Sequence, residues 1–163
     1  MKKAVFLFLA MLTVALSGCQ TVDDDRIPYA PVRIAYTTSS MWEQWGVNGA
    51  LDAVTFIKDD NLPVGFPYTG MSYTGFGGVL LCGDIHGEPV AYDMACPVER
   101  QRNVRILIDV DKANAYCPKC QSVYDVFANF GAPISGEAAQ KGFGLRRYRV
   151  TSGAQGEYRV IIN

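Results

Sequence analysis

Two short loops carry the residues that can do chemistry in this chain: Cys96-Pro97-Val98-Glu99 and Cys117-Pro118-Lys119-Cys120. Thiolates are ligands for zinc, iron and iron–sulfur clusters, and a tight Cys-Pro turn can aim backbone N–H groups at the sulfurs. The spacing Cys96-x2-Glu99-x17-Cys117-x2-Cys120 lies within the zinc-ribbon range. Glu99 stands where a second cysteine would complete a matched pair of knuckles. The donor set is then Cys96, Cys117 and Cys120 with Glu99 as fourth ligand, able to hold Zn(II) or a lone iron. A disulfide from Cys96 to either cysteine of the second loop is the alternative use of the same residues. The single histidine, His86, stands in His86-Gly87-Glu88 and reads as a solvated turn residue. Cys82 lies several residue pairs along a hairpin from Cys96, too far to share a metal, and reads as a buried core thiol.

The elements that must position these loops read as strands. Val32–Tyr36 alternates, and Val54–Ile57 forms a second candidate strand. Val79–Ile85 and Pro89–Met94 flank the His86-Gly87-Glu88 turn as a hairpin. Val104–Val110, Val123–Phe127, and a closing pair of Phe143–Thr151 with Tyr158–Ile162 follow. Ser39–Gly46 reads as one helical turn with a serine cap, its two tryptophans covering a core. Residues 61–75, rich in Gly, Pro and Tyr, make an unusually long loop that covers a sheet edge or lies over the site. No long helical period follows the leader. The fold class is all-β, built of small antiparallel sheets.

The start of the chain has its own chemistry. Lys2 and Lys3 precede an apolar run from Ala4 to Leu16, the pattern of a signal peptide over residues 1–18. Leu16-Ser17-Gly18-Cys19 resembles the lipobox of bacterial lipoproteins, which implies cleavage before Cys19 and its lipidation, giving an anchor of two or more acyl chains. Residues 19–31 then read as a lipidated tether, and residues 32–163 as a single domain. Gln20 after the lipid site favours the outer membrane. Asp23-Asp24-Asp25 resembles an acidic surface-export tag, with a solvated tether as the plainer reading. The expected partner is thus the membrane, through the lipid. The formal net charge of −1 gives no basic face for nucleic acid. Arg146, Arg147 and Arg149 read as a solvated strand face. No nucleophile–base pair, phosphate-cradling glycine loop or motif-spaced carboxylate pair is present, so an enzyme is not expected.

A family resemblance covers roughly residues 76–162. Gly77-Gly78-Val79-Leu80-Leu81, Ala91-Tyr92-Asp93 and Cys96-Pro97, then Cys117-Pro118-Lys119-Cys120-Gln121-Ser122-Val123-Tyr124-Asp125 and Gly131–Gly136, resemble a Rieske iron–sulfur domain. The chain as a whole is similar to small Rieske-like lipoproteins of Gram-negative bacteria. The resemblance implies an antiparallel β-sandwich or barrel with a two-loop cysteine subdomain. It also implies a [2Fe–2S] cluster and one-electron transfer to an unidentified redox partner. Carried over residue by residue, Cys96 and Cys117 match the family's two cysteine ligands. Cys120 and Val98 stand at its two histidine positions, and valine cannot ligate. Without imidazole ligands the high potential of a Rieske centre is lost. An atypical cluster, a zinc ion, a disulfide or an empty site all remain open as the occupant.

Overall fold

The computed structural model describes residues 21–154 and 156–163. The leader and Cys19 lie outside the described residues. The strands are β1 (Val32–Tyr36), β2 (Ala53–Phe56), β3 (Tyr73–Thr74), β4 (Val79–Gly83), β5 (Pro89–Asp93), β6 (Leu107–Asp109), β7 (Asn114–Tyr116), β8 (Val123–Asp125), β9 (Ala132–Ser135), β10 (Arg147–Ser152) and β11 (Arg159–Ile162). Two short helices, α1 (Ser39–Trp45) and α2 (Gly136–Lys141), complete the described elements. A seven-stranded sheet runs in the order β2-β4-β5-β10-β11-β1-β3, and a second sheet in the order β6-β7-β8-β9. Every strand pairing is antiparallel. The protein is mostly β, as its sequence predicts.

β4 stands between two cores. All five of its residues are buried, the mark of a strand covered on both faces. Because side chains alternate, Leu80 and Cys82 enter one core, with Tyr92, Cys96, Cys117, Tyr124 and Leu145. Val79 and Leu81 enter a second, with Ile34, Tyr36, Trp42, Phe56 and Phe66. The first core lies under the small sheet and holds the cysteine loops. The second is aromatic: the Phe66 ring packs edge-on against Tyr36, Phe56, Trp45 and Tyr68. Residues 61–75 therefore cover the aromatic core and end in β3.

The structure departs from the sequence expectations at four places. The helix cap is Thr38, whose Oγ1 accepts the Met41 N–H at 3.2 Å, rather than a serine. The expected strand 104–110 is divided. Its first half pairs with residues 94–96, through Cys96 N–H to Val104 O and Ile106 N–H to Met94 O. Its second half is β6, which pairs with β7. β3, β7, β9 and α2 were not expected; α2 closes on Gly142, whose φ of 70° suits glycine. The fourth departure concerns the segment expected as a tether. Asp23 N–H donates to Gly142 O at 2.7 Å, and Gly144 N–H donates to Asp23 O at 2.9 Å. Asp25 is ion-paired with Arg146 and Asp24 with Arg147, and Ile27 is buried. Residues 21–30 are thus docked on the domain. Asp25, Arg147 and Arg149 remain exposed, as a solvated face requires, while the ion pairs tie Asp24 and Asp25 to it.

Candidate metal centre

Loop 1 is held from below by a buried carboxylate. Asp93, the last residue of β5, accepts N–H groups from Phe76 at 2.8 Å, Gly77 at 3.0 Å and Ala95 at 2.7 Å, and the Tyr148 hydroxyl at 2.5 Å. Any side chain at position 77 would strike the Ala95 backbone, so Gly77 is what lets the two segments approach closely. Ala95 leads directly into Cys96, so this network fixes where the first thiol stands.

The two loops have the same backbone design. Arg100 N–H donates to Cys96 O at 2.8 Å, and Gln121 N–H donates to Cys117 O at 3.0 Å. Arg100 and Gln121, each four residues beyond its cysteine, take the left-handed conformation at φ 54° and 58°. Within loop 1, the Val98 and Glu99 backbone groups act to lower the Cys96 thiol.

The fold brings the three loop cysteines together. The sulfurs of Cys96, Cys117 and Cys120 all lie within 4.8 Å of one another, and Cys96 Sγ stands 3.5 Å from Cys120 Sγ. Cys96 and Cys117 are buried, while Cys120 is partly exposed. Cys82 is fully buried and outside this group, and burial pushes its thiol well above the ordinary range. His86 is exposed at the hairpin tip. Glu99 does not join the sulfurs: its carboxylate is paired with Lys119 Nζ at 2.5 Å, an ion pair that bridges the two loops.

Two hydroxyls near the sulfurs were not foreseen. The Tyr124 hydroxyl lies 3.6 Å from Cys96 Sγ, and Ser122 Oγ lies 3.3 Å from Cys120 Sγ while accepting the Ala138 N–H at 3.0 Å. The signal for Tyr124 lay in the sequence. A tyrosine on the inward face of a strand buries its hydroxyl and needs a polar partner, and the nearest one is a loop sulfur. Burial pushes the Cys96 thiol up to about 12, opposed by its backbone donors and the Tyr124 hydroxyl. For Cys120, burial acts upward, but hydrogen bonds with Ser122 and the neighbouring thiols outweigh it and lower the value.

This geometry could hold a metal ion. Tetrahedral thiolates about 2.3 Å from a metal such as zinc stand about 3.8 Å apart, and Cys96 Sγ and Cys120 Sγ stand 3.5 Å apart. A [2Fe–2S] cluster takes four ligands, two on each iron. Three sulfurs in one tight group, with no fourth histidine or carboxylate among the described residues, do not supply that set. Three cysteines are close enough to hold a metal ion. In comparison with known proteins, the chain matches no family model and no curated protein.

Proposed function

We propose that this is an envelope-anchored, Rieske-like lipoprotein in which one thiolate-bound metal ion joins the two cysteine loops, serving as a structural and interaction domain. The observation that carries this reading is the grouping of three sulfurs within 4.8 Å at the meeting point of two matched turns. Bound there, zinc would supply a cross-link between loops 1 and 2 in place of a larger core. Cys96, Cys117 and Cys120 would hold it. Tyr124, Ser122 and the loop N–H groups would stabilise the thiolate charge. Pro97 and Pro118 shape the turns. The anchor is Cys19, from the lipobox-like Leu16-Ser17-Gly18-Cys19.

The rival reading is a one-electron carrier with an atypical [2Fe–2S] cluster. It is favoured by the order of Cys-Pro loops along the chain, and it requires a fourth ligand from outside the described cysteine group. Purifying the domain from residue 20 onward without oxygen separates the two. We expect a colourless protein with about one zinc per chain. A red-brown protein with about two irons per chain would replace this reading with the electron carrier. A metal-free protein with a Cys96–Cys120 disulfide would overturn both.

A further inference from the structure

The docked N-terminal segment changes what a lipid at Cys19 would do to the domain, and this inference rests on the lipoprotein reading above. The Thr21 carbonyl already packs against Gly142, and Val22 lies against Gly144. Asp23 is fastened by two backbone hydrogen bonds, and Asp24 and Asp25 by Arg147 and Arg146. The Arg26 guanidinium lies 4.0 Å over the Phe143 ring, and the Arg26 carbonyl accepts from Arg100 Nε at 3.0 Å. One residue, Gln20, separates Thr21 from Cys19. An extended chain covers about 3.3–3.6 Å per residue, so a lipid on Cys19 would be joined to Thr21 by a reach of at most about 7 Å. A free tether over residues 19–31 would have reached about 40 Å.

The surface at this exit point has the character of a membrane-facing patch. A hollow of about 210 Å³ opens beside Val22 and is lined by Asp24, Asn129, Phe130, Ala132 and Arg147. Val22 and Phe130 are 46% and 59% exposed. Phe130 is held out at a φ of 50°, with the Arg147 guanidinium 5.6 Å from its ring centroid. Exposed aliphatic and aromatic side chains beside an arginine suit the boundary between headgroups and acyl chains. With Asp24 and Asp25 paired to arginines, repulsion of the lipid surface is reduced.

We infer that the Thr21–Ile27 segment clamps the domain directly onto the bilayer that holds its lipid, with Val22, Phe130 and Arg147 facing the lipid surface. The test uses the full chain, processed and acylated in cells, in vesicles of phosphatidylethanolamine and phosphatidylglycerol with brominated acyl chains. A tryptophan is added by Phe130→Trp or, as the control on a different loop, by Val64→Trp, which is 80% exposed. The emission added to that of Trp42 and Trp45 is then measured. We expect bromine to remove most of the added emission from Phe130→Trp and little from Val64→Trp. Adding Arg146→Gln to Phe130→Trp should restore much of that emission by releasing the clamp. Equal quenching at both positions, or none at either, on a chain whose intact mass shows the acyl groups, would overturn the seating while leaving the lipoprotein reading intact. An intact mass without acyl groups would overturn both. Emission from Phe130→Trp that is shielded in crude membranes but not in vesicles would assign the patch to a protein partner and overturn the lipid assignment.

Discussion

Loop 1 and loop 2 share one backbone and differ in what they present. Each starts Cys-Pro, bonds its cysteine carbonyl to an N–H four residues on, and turns through a left-handed residue there. By that correspondence Glu99 is the equivalent of Cys120, and Val98 that of Lys119. Loop 1 is the inner loop: Cys96 and Pro97 are buried, and Val98 and Glu99 are half-buried. Loop 2 is the outer loop: Pro118 and Lys119 are exposed, and Cys120 is partly so. The difference separates shape from ligation. The turn places two side chains near the neighbouring loop, but only a thiol makes the second of them a ligand. In loop 1 that place is taken by a carboxylate committed to Lys119.

The comparison breaks most directly at the equivalent pair. Cys120→Ser removes one of three thiolates and should leave the purified protein with essentially no bound metal by elemental assay. Glu99→Gln should keep full metal content, because Glu99 stands outside the sulfur group. Equal metal loss in both variants would return Glu99 to the ligand set. Next in size is Glu99→Cys, which gives loop 1 the second thiol that loop 2 has. A fourth thiolate closes a tetrahedral site. Competition with a chelator should show tightening beyond the 10–100-fold, about the size that outer-shell partners supply.

What was legible in the sequence follows the same division. The Cys-Pro turns and the β4–β5 hairpin could be read because local spacing and alternation determine them. Cys96, Cys117 and Cys120 could be grouped because the second loop repeats the pattern of the first. The Glu99–Lys119 pair could not be read because the two residues are remote in sequence and meet only when the two loops face each other. The pairing of Asp24 and Asp25 could not be read for a similar reason: their arginines lie more than 120 residues along the chain. α2 escaped notice because its six residues are too few to show a helical period. β6 was overextended because Val104–Val110 is one apolar run to the eye, although its two halves pair with different neighbours.

A smaller effect tests the donors behind each loop. Tyr124→Phe keeps the ring that fills the core and removes only the hydroxyl near Cys96. Metal affinity should fall by about 10–100-fold, with the thermal midpoint of the metal-free protein little changed. Ser122→Ala is its counterpart for Cys120, but this hydroxyl also accepts the buried Ala138 N–H. That variant should lose affinity and, in addition, about 1–3 kcal/mol of stability, as a buried donor left unpaired does. Denaturant titration of both metal-free variants checks the contrast, and equal stability loss would show that Tyr124 too is a structural support.

The smallest effect is expected at the ion pair that joins the loops. Lys119 is more than half exposed while Glu99 is mostly covered, so solvent screens much of the attraction from the lysine side. Lys119→Gln should therefore lower the thermal midpoint only slightly in low salt, and the difference from the unsubstituted chain should vanish as salt is raised. Metal content should not change, because the sulfur positions are set by the Asp93 network, the two turns and the core beneath them. The hydrogen bond with Glu99 raises the Lys119 ammonium above its ordinary range, so the pair's contribution is lost as pH rises through that raised value, not within the neutral range. A large loss of metal in Lys119→Gln would mean that the ion pair holds loop 2 against loop 1, and that shared backbone geometry alone does not bring the three sulfurs together.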